Sequence, residues 1–107
     1  MVLSAVLAYD LSIELIRGLR TSLETVRRRD PALAKQGTDA VNSVALNLAE
    51  SGGRVGRDRS HLVRIALGSL REVGAVLDIA AAHGWFECPP LARERNRLGG
   101  LLYSLQR

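Results

Sequence analysis

The chain has 107 residues, of which 47% are hydrophobic and only 4% aromatic, so we expect one domain with an aliphatic core. Leu, Val, Ile and Ala favour close helix packing over a sheet, and the composition therefore predicts an all-α fold. The net charge of +4 permits phosphate binding without requiring it. Nearly all the cations are arginine, which suits bidentate phosphate contacts, but a GC-rich coding sequence would give the same bias.

The cysteine content and the hydropathy pattern bear on the compartment. A single cysteine, Cys88, cannot form an internal disulfide, which fits a reducing environment. No stretch approaches the ~20 uncharged apolar residues that a membrane-spanning helix requires. We therefore expect a cytoplasmic protein that does not associate with membranes.

The first predicted helix covers residues 4–28. Its apolar residues recur every three to four positions, as on one face of a helix, at Val6, Leu7, Leu11, Leu15, Leu19, Leu23 and Val26. Asp30 followed by Pro31 is typical of an N-cap with proline at the first helical position, so a second helix begins with almost no linker. Such a short connection predicts that the two helices are antiparallel neighbours.

The second predicted helix covers residues 31–51 and the third covers residues 59–83. We expect the second to end at Gly52-Gly53 in a left-handed glycine cap, and Asp58 to cap the third. Their apolar residues again follow a helical stripe, with Leu33, Gly37, Val41, Val44 and Leu48 in the second and Leu62, Ala66, Leu70, Val73, Leu77 and Ala81 in the third.

The fourth predicted helix covers residues 91–106 and follows Pro89-Pro90. Gly99 and Gly100 lie in its middle, and each costs up to ~1 kcal/mol relative to alanine, so this helix should depend on docking against the others. Together the four segments predict a single domain over residues 1–107, folded as an antiparallel up-and-down four-helix bundle.

A second apolar stripe indicates self-association. Leu46, Ile65, Val76 and Ile79 lie off the predicted core face, and a monomer would leave them exposed. Homo-oligomerisation explains such residues economically, although scattered surface apolar residues are also common.

The sequence offers little for catalysis. His61 and His83 lie at opposite ends of the third predicted helix, ~33 Å apart at helical rise, and cannot share one site within a chain. Cys88 and His83 are too few ligands for a zinc centre. Glu50 and Glu72 lack the Glu-x-x-His pairs of a di-metal bundle, so we expect no enzyme, metal, cofactor or small-molecule substrate.

Arginines are concentrated where the third helix is predicted to begin, at Arg54, Arg57, Arg59 and Arg64. A helix N-terminus adds a partial positive charge and free backbone N–H groups, so this end of the bundle is a candidate anion site. The alternative is a solvated turn held by Asp58 and Glu50.

Two segments resemble a known family. Residues 34–36 (AKQ) and 40–54 (AVNSVALNLAESGGR), followed by residues 64–72 (RIALGSLRE), are similar to motifs of the four-helix bundle proteins encoded in 23S rRNA intervening sequences. The span from residue 34 to residue 72 that contains these stretches covers about a third of the chain. Residues 37–39 (GTD) depart from the pattern, since relatives often carry basic residues there, and Ser51 stands where a glycine is usual.

The resemblance implies a bacterial, ring-shaped homopentamer of antiparallel bundles. It also implies RNA and a reverse transcriptase as partners, because related proteins include the accessory variability determinants of diversity-generating retroelements. Four residues fall on the family's motif positions, and hydrogen bonds between helices are the role we expect for them. They are Asn47, Glu50, Ser69 and Glu72.

These observations lead to two functional hypotheses. The first is an oligomeric adaptor that binds RNA through phosphate contacts of Arg54, Arg57, Arg59 and Arg64. The second is a purely structural or protein-binding oligomer, in which the arginines serve solubility and ion pairs between subunits.

Overall fold

A computed structural model describes residues 3–106, which form four compactly packed helices and no strand. The helices are α1 (Leu3–Arg29), α2 (Pro31–Ser51), α3 (Gly56–Ala82) and α4 (Ala92–Leu105). The predicted all-α class and the four predicted helices are confirmed. The bounds of α2 agree with the prediction, those of α1 and α4 differ by one residue at each end, and α3 begins three residues early.

The connection between α1 and α2 is a single residue, as predicted. Asp30 is the N-cap of α2, and its carboxylate accepts a hydrogen bond from the backbone N of Leu33 at 3.1 Å. Pro31 follows at the start of the helix, where its missing N–H has no intrahelical partner to lose. The cap thus starts α2 directly after α1 ends.

The turn between α2 and α3 differs from the prediction. Gly52 is right-handed, with φ −63°, and the left-handed glycine is Gly56, with φ +60°. Gly56 already begins α3, so Asp58 lies inside the first turn and the N-cap is Val55, which makes no side-chain cap hydrogen bond. Gly52 is the C-cap of α2, as predicted, but its left-handed conformation was wrong. The predicted N-cap at Asp58 was also wrong, because the chain reverses at Gly56, which adopts positive φ without steric cost.

Contacts between α2 and α3 show that these helices are antiparallel. Gly37 lies so close to α3 that an added Cβ would be 3.1 Å from Cγ1 of Val76. Further along α2, Ser43 contacts Ser69, which comes earlier in α3. The partner position in α3 therefore moves backwards as α2 advances.

The fourth helix closes the bundle by packing against both α3 and α1. Gly74 and Arg95 are neighbours, and Leu70 lies beside Gly99, so α4 also runs opposite to α3. Each consecutive pair of helices is adjacent, which is the up-and-down arrangement predicted from the short connections.

All four helices contribute to one main buried cluster, made almost entirely of aliphatic side chains. Its residues are Ala8, Leu15, Leu19, Ala40, Val41, Val44, Leu48, Val63, Ala66, Leu67, Leu70, Val73, Leu77, Leu98 and Leu102. The prediction fails at the start of α1, where Val6 and Leu7 are exposed and Ala5 and Ala8 are buried. The buried residues Ala5, Ala8, Ser12, Leu15 and Leu19 follow one row at three- and four-residue spacing, and Val6 and Leu7 lie off that row.

Helix α4 packs against the other helices through its leucines. Leu98 and Leu102 are fully buried. Leu91 adopts a left-handed backbone conformation with φ 56°, which is uncommon for a residue with a side chain. Its Cδ1 atom lies 2.7 Å from where a Cβ on Gly18 would be, so the absence of a side chain on α1 lets Leu91 anchor the start of α4.

Candidate nucleic-acid interface

Three of the four predicted arginines lie together at the start of α3. They line a surface depression of about 410 Å³ that also includes the end of α4. Its lining residues are Gly56, Arg57, Arg59, Ser60, Arg64, Leu105 and Gln106. No carboxylate is among them, so the depression presents three positive charges and no compensating negative charge.

Arg54 lies apart from this depression. Its guanidinium is 3.3 Å from a carboxylate oxygen of Glu50 and 3.9 Å from one of Asp58. Within residues 3–106, Arg57, Arg59 and Arg64 form no ion pair. The structure therefore separates the four predicted arginines into three with free charge and one that is partly neutralised.

A second basic depression lies further along the boundary between α3 and α4 and was missed from the sequence. It has a volume of about 380 Å³. Its lining residues are Leu67, Leu70, Arg71, Gly74, Arg95, Asn96, Gly99, Gly100 and Tyr103. Like the first depression it includes arginines and no carboxylate.

The local sequence contains the signal that would have found these unpaired arginines. On a helix, an acid three or four residues away can pair with an arginine. No Asp or Glu occupies such a position next to the lining arginines, which are Arg57, Arg59, Arg64, Arg71 and Arg95. An acidic group that neutralises these arginines would therefore have to come from outside their own helix.

The groove between α1 and α2 has the opposite character. It has a volume of about 470 Å³, and two of its lining cations are paired with carboxylates. Arg27 donates hydrogen bonds of 2.8 and 2.6 Å to Glu24, and Lys35 donates one of 2.7 Å to Asp39. The bond from Arg27 holds the pKa of Glu24 below its usual value, and the bond to Asp39 raises the pKa of Lys35.

Two of the four family-motif residues belong to a hydrogen-bond network between α2 and α3. Ser69 Oγ lies 2.8 Å from Ser43 Oγ. Asn47 Nδ2 donates to the backbone oxygen of Ser43 at 2.8 Å and to its hydroxyl at 3.0 Å. Ser43, which the sequence reasoning did not single out, joins the two motif positions and precedes Asn47 by one helical turn.

The two acidic motif residues have a different environment. Both Glu50 and Glu72 are exposed, and Glu50 pairs with Arg54 within the same stretch of chain. In residues 3–106 Glu72 forms no ion pair or hydrogen bond. Neither carboxylate takes part in the hydrogen bonds between α2 and α3 that we expected of them.

The predicted second apolar stripe is only partly exposed. Leu46, Ile65 and Ile79 are 69%, 39% and 45% exposed, but Val76 is 2% exposed. Placing Val76 on the surface was wrong, because Gly37 lets α2 approach α3 closely enough to cover it. Leu46 contributes instead to a shallow apolar depression between α1 and α2, lined by Tyr9, Ile13, Ile16, Asn42, Ala45, Leu46 and Ala49.

The histidines and the cysteine do not come together as a site. The ring of His83 stacks on Trp85 with centroids 4.7 Å apart and an angle of 15° between the planes. Cys88 is exposed. Among residues 3–106 no group of three or more His, Cys, Asp or Glu side chains is arranged to hold a metal ion.

Comparisons with known proteins give no assignment for the chain. No family model, no curated protein and no solved structure matches it. In the part of the chain from residue 3 to residue 106, no helix is both long and apolar enough to cross a membrane.

Proposed function

We propose that the chain is the subunit of a cytoplasmic, homo-oligomeric adaptor without catalytic activity that binds RNA through arginines at the start of α3. The observation that carries this proposal is the depression lined by Arg57, Arg59 and Arg64, which form no ion pair within residues 3–106. Unpaired guanidinium groups gain the most binding free energy from a phosphate, because no internal ion pair has to be broken first.

The first turn of α3 supports anion binding at the same place. Val55, the N-cap, makes no side-chain hydrogen bond to the helix, so the first backbone N–H groups have no side-chain acceptor. The helix dipole adds a partial positive charge at this end. Gly56 lies in the depression itself, which places these donors beside the arginines.

Assembly would strengthen a weak site. Three arginines in one subunit give modest affinity, whereas repeated copies on one assembly bind a long RNA with much higher avidity. The exposed apolar residues Leu46, Ile65 and Ile79 supply surface for self-association. A pentameric ring, a place among the 23S rRNA intervening-sequence proteins and a reverse-transcriptase partner rest on the sequence resemblance and belong to this proposal.

Salt-dependent binding tests the RNA proposal. We expect the protein to bind a structured RNA at low salt, and the triple variant Arg57→Ala, Arg59→Ala, Arg64→Ala to lose most of that affinity. For each phosphate contact removed, the plot of the logarithm of the binding constant against the logarithm of the salt concentration should become shallower by about 0.7–0.9 in slope.

The matched control removes the same charge from α1 and α2. Arg27→Ala, Arg28→Ala, Lys35→Ala should keep nearly all the affinity, because all three cations are already paired with carboxylates. Equal losses in the two triple variants would show that only net charge matters and would reject a site at α3.

The second candidate is a structural oligomer that binds no nucleic acid, and the exposure of Leu46, Ile65 and Ile79 favours it. Light scattering on the wild type and on Ile65→Lys, Ile79→Lys tests self-association. A monomeric wild type rejects both candidates as stated. An oligomer that purifies without nucleic acid and does not bind RNA at low salt selects this second candidate.

A further inference from the structure

We infer that one single strand of RNA lies lengthwise along the boundary between α3 and α4, from the start of α3 to Arg71 and Arg95. The inference rests on the proposed RNA binding and extends it to a defined path on the surface. We name as the arginine groove the two depressions lined by Arg57, Arg59, Arg64, Arg71 and Arg95.

The arginines of α3 are aligned along the helix. Arg57, Arg64 and Arg71 are spaced seven residues apart, close to two full turns, so they lie on the same side of α3 at intervals of about 10.5 Å. From Gly56 to Gly74 the two depressions extend over about 27 Å at helical rise. A ligand that contacts all of them must therefore be elongated.

Arg95 adds a cation from the opposite helix, and its position is fixed by contacts. Its Nε donates a hydrogen bond of 3.1 Å to the backbone oxygen of Pro90. Its Nη1 atom lies 3.1 Å from where a Cβ on Gly74 would be, so the guanidinium rests against α3 where glycine leaves room. A side chain held in this way loses less conformational entropy when it binds phosphate.

The charge pattern selects a polyanion. Five arginines and no carboxylate line the groove, so a ligand with one charge would satisfy only one part of it, whereas a strand carries a phosphate at every nucleotide. Asp78 occupies the next position of the seven-residue series after Arg71, and its negative charge marks where the favourable path ends.

The shape of the groove selects a single strand over a duplex. Packed helices have axes roughly 8–10 Å apart, and the valley between them is narrow. Tyr103 lines the groove and is 53% exposed, which gives a base a ring on which to stack. A basic path for the backbone combined with an aromatic surface for bases is the usual design for binding single strands.

The first test removes a cation that the proposed function does not use. We expect Arg71→Ala to weaken binding of an oligouridine of about twelve nucleotides, within the usual range of site sizes, by roughly three- to tenfold. The salt slope should fall by about 0.7. Arg28→Ala on α1 removes an exposed arginine outside the groove that is 3.8 Å from a carboxylate oxygen of Glu24, and it should change neither quantity.

A steric variant tests the path without changing charge. Nothing lies within 4 Å of a Cβ built on Gly100, which lines the groove, so Gly100→Gln should fold and obstruct the strand. Ala32 is exposed at the start of α2 and lies outside both depressions, so Ala32→Gln is the control that introduces the same side chain away from the groove. We expect severalfold weaker binding only for Gly100→Gln, whose melting temperature should be at or above that of the wild type.

The outcomes separate the path from RNA binding itself. One outcome is that binding depends on Arg57, Arg59 and Arg64 but is unchanged in Arg71→Ala and Gly100→Gln. That result overturns the path and leaves the proposed function intact. No binding by the wild type at low salt overturns both. A duplex of the same length, or oligoglutamate of equal charge, could also compete with the oligouridine as well as unlabelled oligouridine does. That result shows a general anion-binding surface and overturns the single-strand path.

Discussion

The groove between α1 and α2 and the arginine groove between α3 and α4 contain the same kinds of basic side chain in opposite electrostatic states. In the first, Glu24 and Asp39 are themselves lining residues and bind Arg27 and Lys35, which leaves Arg20 as the lining cation without an ion pair within residues 3–106. In the second, the arginines have no carboxylate among the lining residues. The clearest difference between the two grooves is that the first has carboxylates among its lining residues, three or four positions from the cations that they bind, and the second has none.

The two sides of the bundle also differ in packing. On α2, a Cβ added to Gly37 would be 2.9 Å from Leu23 and 3.1 Å from Val76, so α1, α2 and α3 meet closely around this glycine. On α4, a Cβ added to Gly100 would meet nothing within 4 Å. Close packing holds the first three helices together, while α4 leaves an open, basic groove beside α3.

The largest effect should come from undocking α4. Leu98→Ala removes a fully buried side chain and should lower the free energy of unfolding by ~2–5 kcal/mol, measured by urea denaturation. The control is Leu46→Ala, at a side chain that is 69% exposed, which should change the stability of the subunit by less than about 0.5 kcal/mol. Similar losses for both variants would contradict the assignment of the core.

The next effect should come from the close contact at Gly37. Gly37→Ala should destabilise the protein by about 1–3 kcal/mol, because Leu23 and Val76 have to move to accommodate the methyl group. Gly100→Ala is the control in open space and should stabilise the protein by up to about 1 kcal/mol through helix propensity. The melting temperatures of the two variants should therefore shift in opposite directions from that of the wild type. Shifts in the same direction would contradict the difference in packing between Gly37 and Gly100.

A smaller effect is expected from the hydrogen bonds between α2 and α3. Ser69→Ala removes the contact of 2.8 Å with Ser43 and should cost about 1 kcal/mol. The loss is limited because Asn47 continues to donate to the hydroxyl of Ser43. A double-mutant cycle of Ser43→Ala and Ser69→Ala measures the coupling free energy between the two hydroxyl groups. Strictly additive losses of stability would show that their contact contributes nothing.

The smallest effect concerns pH in the α1–α2 groove. The hydrogen bond from Arg27 lowers the pKa of Glu24 from its usual 4.5. A lowered folded-state pKa contributes stability above the unfolded value, and that stability is lost as pH falls through the folded value. Wild type should therefore lose slightly more stability than Glu24→Gln on acidification below about pH 4.5, in melts at low ionic strength. Parallel pH curves would exclude a contribution from this pair.

The helices and the first cap were predictable because their signals are local. The spacing of apolar residues gave each helix to within a few residues, and Asp30-Pro31 gave the start of α2. The cap at Asp58 was misplaced because Gly52, Gly53 and Gly56 all allow a left-handed turn, and composition does not say which one the tertiary structure uses.

The candidate site was only partly predictable. Arg57, Arg59 and Arg64 were found because they are neighbours in sequence, and the absence of acids at helical spacing could also have indicated Arg71. Arg95 belongs to another helix, and its place beside Gly74 depends on how α4 docks.

The amino-acid sequence alone determined the helical class, the order of the four segments and which arginines lack a partner on their own helix, because these follow from periodicity and short spacings. Only the tertiary structure decided that Val76 is covered, that Ser43 links Asn47 to Ser69, and that α3 and α4 together line both basic depressions. Those features depend on the separation and rotation of neighbouring helices, which are set by side chains far apart in the chain.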